Sequence, residues 1–241
     1  MAAHPPSGGT DDRLPLEAMP RGGQRVSRPR SPVRSHPRLF VPQGYEPGYA
    51  YPLLVWLPGT RGFDLGRAMN RVSTRNFVAI EPALPRRVAG RAVLDDAVWE
   101  AVDTAAERCH VHPDRVFLVG RGTGGTDAFR VAFRHAERFA GMVSLGGSFP
   151  HAEALFAKLA AVRRLPVLFC CRHDAADAMA ATTALTLRLF HAAGAQLSMR
   201  IYRESHDLAA PILRDVLNWT TVAVTFISGG NYVRKAIAYL A

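Results

Sequence analysis

Between residues 120 and 126 the chain reads Gly-Arg-Gly-Thr-Gly-Gly-Thr, directly behind the apolar run Val116-Phe117-Leu118-Val119. Glycines this dense at the end of a strand serve one of two chemistries. They let a backbone close on a phosphate, or they let a strand turn sharply into a helix so that one residue stands above the sheet edge. The phosphate reading is weakly supported. No Gly-Lys-Ser/Thr loop accompanies the run, and it sits on a middle strand with no earlier βαβ start of the dinucleotide type. The 9 histidines form no metal-spaced cluster. Cys109, Cys170 and Cys171 have no regular spacing and read as reduced, buried thiols. Neither a cofactor nor a metal is therefore expected.

The elements that position this turn follow from periodicity. Short apolar runs at 38–42, 51–59, 77–82, 115–120, 141–147, 166–171 and 197–203 read as strands, all but the first of them buried. Helical patterns fall at 64–75, 94–109, 125–138, 151–163, 176–193 and 208–226. In the second of these, Val98, Val102, Ala105, Ala106 and Cys109 make one stripe. Continuous apolar strands alternating with helices predict a doubly wound α/β fold. Its mainly parallel sheet has about 6–7 strands and helices on both faces. Ligands in such sheets bind at the carboxyl ends of the strands, so the loops opening at Pro58, Gly120, Cys171 and Arg203 are where function is sought.

Residues 112–150, HPDRVFLVGRGTGGTDAFRVAFRHAERFAGMVSLGGSFP, resemble the nucleophile-elbow region of α/β-hydrolases. The likeness is to the carboxylesterase/phospholipase and polyhydroxybutyrate-depolymerase-like esterases. In those, a strand enters Gly-x-Ser-x-Gly-Gly, and the following helix ends in a His-Pro-Glu-Arg-Phe-like phrase. Here that helix ends His135-Ala136-Glu137-Arg138-Phe139, and the resemblance extends over about residues 38–228. It implies an α/β-hydrolase fold of reduced size.

The same resemblance assigns the site. Gly120 and Gly124 occupy the flanks of the elbow, and Gly122 stands where the family carries its nucleophilic serine. The apex is strained by about 1–3 kcal/mol for a residue with a side chain, a cost that glycine avoids. Thr123 supplies the nearest hydroxyl, which should point along the first helical turn. Its backbone N–H occupies the place of one oxyanion-hole donor. The second donor would come from Leu57-Pro58-Gly59-Thr60, where relatives often have His-Gly; Gly59 and Thr60 are the candidates, and a plain turn is the other reading. His206, in Ser205-His206-Asp207, matches the position of the general base. The acid position falls on Ala175, with Asp174 and Asp177 on either side; each is a candidate for the acid or for a helix N-cap. Arg121 is unusual at such an apex.

Composition bounds the remaining choices. Of 30 basic residues only Lys158 and Lys235 are lysine, and the formal net charge is +10. The arginines scatter over the chain, and no helix-turn-helix, RNA-binding or zinc-finger pattern accompanies them. Nucleic acid is therefore not the expected partner. Residues 1–37 hold 7 of the 17 prolines and no aliphatic periodicity, and read as a disordered basic tail. Residues 38–230 form the α/β domain. Residues 231–241 place Val233, Ile237 and Leu240 on one helical face that would suit the domain or a protein partner. No apolar run reaches a membrane span, and the N-terminus has no secretory h-region, so a cytoplasmic location is expected.

Three functions fit these residues. The leading expectation is a catalytically weak or inactive α/β-hydrolase homologue, a binding or interaction protein whose cleft takes a small or ester-like ligand. The alternative is an active carboxylic-ester hydrolase in which Thr123, or a water activated by His206, attacks. The last is a basic nucleic-acid-associated protein that uses its Arg-rich tail.

Overall fold

A computed structural model describes residues 36–59, 63–84, 91–149, 159–173, 187–188, 190–203 and 211–225. The chain divides into Met1–Pro32 and Val33–Ala241, and all of the described residues belong to the second unit. The expected tails at 1–37 and 231–241 lie outside the described residues but for 36 and 37.

Among the described residues, seven strands form a single sheet: β1 (Arg38–Phe40), β2 (Tyr51–Leu57), β3 (Val78–Glu81), β4 (Val111–Arg121), β5 (Gly141–Leu145), β6 (Val167–Arg172) and β7 (Leu197–Tyr202). Their order across the sheet is β1-β3-β2-β4-β5-β6-β7. Only β1 runs antiparallel, pairing Arg38 with Glu81 and Phe40 with Ala79. The described helices are α1 (Leu65–Val72), α2 (Arg91–Arg108), α3 (Thr123–Arg134), α4 (Leu159–Val162) and helical residues at 190–192 and 211–225. A short 3-10 turn at Ala136–Arg138 follows α3.

Both faces of the sheet are covered, which is why β2, β3 and β5 are buried from end to end. On one face, Leu53, Val55, Val78, Leu118, Met142 and Phe169 pack with α2, α3 and Phe190. On the other, Leu54, Trp56, Ala79, Phe117, Val143 and Leu168 pack with α1 and with Ile212, Leu213 and Val216. Each large aliphatic or aromatic side chain so buried contributes about 1.5–3 kcal/mol relative to exposure. Trp219 lies against the sheet so closely that a Cβ on Gly141 would meet its ring at 2.5 Å.

Two expectations change in detail. The strand read as 115–120 begins earlier, at Val111, but its first residues stand partly out of the sheet. The register shifts between Tyr51↔Val111 and Leu53↔Val116. Pro113 has no N–H to give to a ladder, so the chain bulges there before the apolar run begins. The strand at 197–203 is not buried. It is the sheet's edge strand β7, with Ser198, Arg200 and Ile201 exposed. Its apolar residues read as core because alternation is hard to see over six residues.

The phrase that ends α3 has a structural reason. Arg134 grips Asp95 of α2 with two hydrogen bonds, Nε to Oδ2 at 3.0 Å and Nη2 to Oδ1 at 2.6 Å. The His135 Nε2 atom lies 3.2 Å from the same carboxylate. Trp99, also on α2, takes the edge of His135, stacks on Phe139 at 5.5 Å and carries the Arg138 guanidinium over its ring at 4.5 Å. Each polar residue of the phrase except Glu137 thus fastens α3 to α2.

Candidate active site

The carboxyl ends of β2 and β4 meet at the candidate site. β4 ends at Arg121, and α3 starts at Thr123, so one residue, Gly122, makes the whole turn. Its φ is 55° and its ψ −123°, a conformation open to glycine and strained for residues with a side chain. Its N–H donates to the Leu145 carbonyl at 2.8 Å, which ties the apex to β5. Its carbonyl accepts from the Gly125 N–H at 2.9 Å and opens the helix.

The surrounding glycines are there because backbones touch. A Cβ on Gly120 would lie 2.1 Å from the Gly124 carbonyl oxygen, and one on Gly124 would lie 2.2 Å from the Leu57 carbonyl oxygen. Gly125 and Gly147 face each other across the Ser144 hydroxyl, which a Cβ on either would meet at 2.6 Å. Ser144 is fully buried, and among the described residues its Oγ has no hydrogen-bond partner.

Gly59 follows β2 with φ 61° and presses onto the elbow. Thr123 answers it by donating its hydroxyl to the Gly59 carbonyl at 2.6 Å. The Thr123 side chain therefore crosses to the neighbouring loop instead of running along its own helical turn. Its single proton is committed to that carbonyl. Arg121 is half-buried beside the apex.

The structure thus brings together Gly122, Thr123 and Gly59. His206, Asp174, Asp177 and Thr60 lie outside the described residues. Among the described residues no group of three or more His, Cys, Asp or Glu could hold a metal ion. No helix among them is long and apolar enough to cross a membrane.

The three cysteines are free and buried. The reactive species would be a thiolate, yet burial raises all three thiols, Cys109, Cys170 and Cys171, above their ordinary range. Cys170 is pushed up to about 12. It sits beside Tyr202, whose hydroxyl donates to Asp215 Oδ2 at 2.6 Å, while Arg200 donates to the same oxygen at 2.9 Å. Burial, and then the hydrogen bond to Asp215, raise Tyr202 as well. This polar cluster fastens the 211–225 helix to the edge of the sheet. No motif marks it in the chain, because a charge such as Asp215 is ordinary on a solvated helix.

A mostly parallel sheet in this order, with one residue turning from a middle strand into a helix at φ 55°, is the arrangement around which serine esterases are built. Solved structures of such enzymes superpose on it. A ferulic acid esterase matches with a TM-score of 0.62 at 14% identity, over 78% of this chain and 92% of its own. The chain has the α/β-hydrolase fold. A carboxylesterase of Bacillus cereus matches with a TM-score of 0.56 at 17% identity, over 78% of this chain and 93% of its own. A thermostable esterase matches with a TM-score of 0.59 at 17% identity, over 77% of this chain. The match spans only 58% of that esterase. No protein-family model and no curated protein matches the sequence.

Proposed function

We propose that this α/β-hydrolase-fold protein binds an ester-like or other carbonyl-bearing small molecule in the cleft at the carboxyl ends of its strands and turns it over weakly or not at all. The observation that carries this reading is the apex itself. The residue at φ 55°, ψ −123° is Gly122, which has no atom to attack with. The adjacent hydroxyl, on Thr123, is spent on the Gly59 carbonyl at 2.6 Å. In the proposal His206 occupies the base position, Asp174 or Asp177 the acid position, and the Thr123 N–H remains as a donor toward a ligand oxygen. Without a nucleophile, an oxyanion hole and a binding cleft give about 10³–10⁴-fold over water, far below a working esterase.

The test has two arms. Wild-type protein should stay unlabelled by a fluorophosphonate probe and should not hydrolyse a short-chain nitrophenyl ester, whereas Gly122→Ser should gain both activities. Labelling of wild-type protein at Thr123, or wild-type turnover abolished by His206→Ala, would establish an active hydrolase and overturn the reading.

A further inference from the structure

We propose that β7 is a docking edge for a second copy of this chain, whose own β7 pairs with it antiparallel about Met199 and joins the two sheets into one. β5 and β6 separate this edge from β4 and the elbow, so the pairing holds whatever the cleft binds.

The backbone shows what the edge offers. Among the described residues β7 has a neighbouring strand, β6, on one side only. The two run in unbroken register from Val167↔Leu197 to Arg172↔Tyr202. The Val167 N–H donates to the Gln196 carbonyl at 2.8 Å, and the Cys171 thiol reaches the Arg200 carbonyl at 3.8 Å. Backbone groups alternate sides along a strand, so residues 196, 198, 200 and 202 face β6. The N–H and C=O groups of Leu197, Met199 and Ile201 therefore point away from the sheet. The Leu197 N–H is satisfied locally by the Ala195 carbonyl at 3.1 Å. That leaves the Leu197 carbonyl and both groups of Met199 and Ile201 for a further strand.

Edges that must stay single carry proline, lysine, a bulge or an inward charge. β7 has no proline, no lysine and no bulge. Its one charge, Arg200, is drawn aside to Asp215 at 2.9 Å. Ile201 is instead left 54% exposed. Leu197 and Met199 pack on the face of α2 and α3, and alternation sets Ile201 on that same face.

The strand is complementary to itself in one register. A two-fold axis perpendicular to the sheet sets one residue opposite its own copy. Centred on Arg200, it would bring two guanidinium groups face to face, which is unfavourable. Centred on Ile201, it would oppose Met199 to the partner's Arg203, beyond the end of the strand. Centred on Met199, it keeps the whole strand paired. Met199 then exchanges both hydrogen bonds with the partner's Met199, and the Ile201 N–H donates to the partner's Leu197 carbonyl. On one face Ile201 is covered by the partner's Leu197. On the other, Ser198 lies opposite the partner's Arg200, so no like charges meet.

Sedimentation equilibrium of the full chain tests this, and wild-type protein should show twice the chain mass within the micromolar range. Ile201→Pro withdraws the N–H given to the partner in both copies, on the side of the strand where proline leaves the β6 ladder intact. It should weaken the dimer about 10-fold to 100-fold. Ile201→Lys keeps the backbone, sets a charge against the partner's Leu197 and should also weaken it, so the test survives a proline variant that fails to fold. Ser198→Glu, opposite the partner's Arg200, should tighten the dimer by about twofold to tenfold, and Ser198→Arg should loosen it by a similar factor. Wild-type protein that stays monomeric throughout the micromolar range overturns the proposal. So does a dimer whose dissociation constant neither Ile201 variant moves. Equal effects of Ser198→Glu and Ser198→Arg would overturn the register about Met199.

Discussion

Placing a methyl group at residue 122 separates a strained apex from an ordinary turn. At φ 55°, ψ −123° a side chain costs about 1–3 kcal/mol, because its Cβ crowds the flanking peptide oxygens. Against that, alanine restricts the unfolded chain more than glycine does, which returns about 0.4–1 kcal/mol. Gly122→Ala should therefore lose about 1–2 kcal/mol, a drop in Tm of about 2–8 °C for a domain of this size. Urea unfolding followed by the fluorescence of the 3 tryptophans measures it directly. Gly48 provides the control. It lies in the turn before β2 without a left-handed φ, and a Cβ there would meet nothing within 4 Å. Gly48→Ala should gain about 0.4–1 kcal/mol by restricting the unfolded chain. The two substitutions are thus expected to have opposite signs in one assay. A Gly122→Ala protein as stable as wild type would mean that the apex is not held in the strained conformation, and the case for a vacated nucleophile seat would go with it.

Other outcomes follow from the same contacts. Ser144→Ala removes a buried hydroxyl with no partner among the described residues and should raise stability by about 1 kcal/mol in urea unfolding, with the elbow unchanged. Trp99→Ala strips the Phe139 stack and the Arg138 contact from α2, and should cost about 3 kcal/mol. A loss below about 1 kcal/mol would show that the α2–α3 latch is cosmetic. Cys170 is raised in the folded state from 9.0 to about 12, so the folded protein holds that proton more tightly than the unfolded chain. Its contribution is complete below pH ~9 and is lost as pH climbs toward ~12, with Tyr202 acting in the same direction. Urea midpoints between pH 8 and 11 should fall, and Cys170→Ala should flatten that fall.

The fold was readable because its signal is local and repeated. Runs such as Leu53-Leu54-Val55-Trp56-Leu57 are apolar at every position, which only a sheet covered on both faces explains. The turn at 120–125 was readable for a similar reason, since close backbone approach admits no residue but glycine. What escaped the sequence lies between elements. The His135–Phe139 phrase gives no hint that Asp95 and Trp99, some forty residues earlier, are its partners. The Thr123 hydroxyl looks like a helix-start side chain until the Gly59 carbonyl is seen beside it. β7 was read as buried because its apolar residues resemble those of β6, yet its position in the sheet order leaves it at the edge.

That the elbow keeps its shape says less about chemistry than it first suggests. Gly120, Gly124, Gly125 and Gly147 are each within 3 Å of something a Cβ would strike, mostly backbone. Those four positions are fixed by how closely α3 must lie on β2, β4 and β5, whatever happens at the apex. A sequence that stopped needing the reaction would still have to keep them, or lose the packing of its central helix. Gly122 is different, because a side chain at the apex serves only an attacking atom, and its strain is a cost that packing does not repay. On the proposed function, glycine at that one position, among glycines required for packing, is therefore the one that bears on chemistry. Serine can be lost from an elbow without harm to the fold, whereas the flanking glycines cannot.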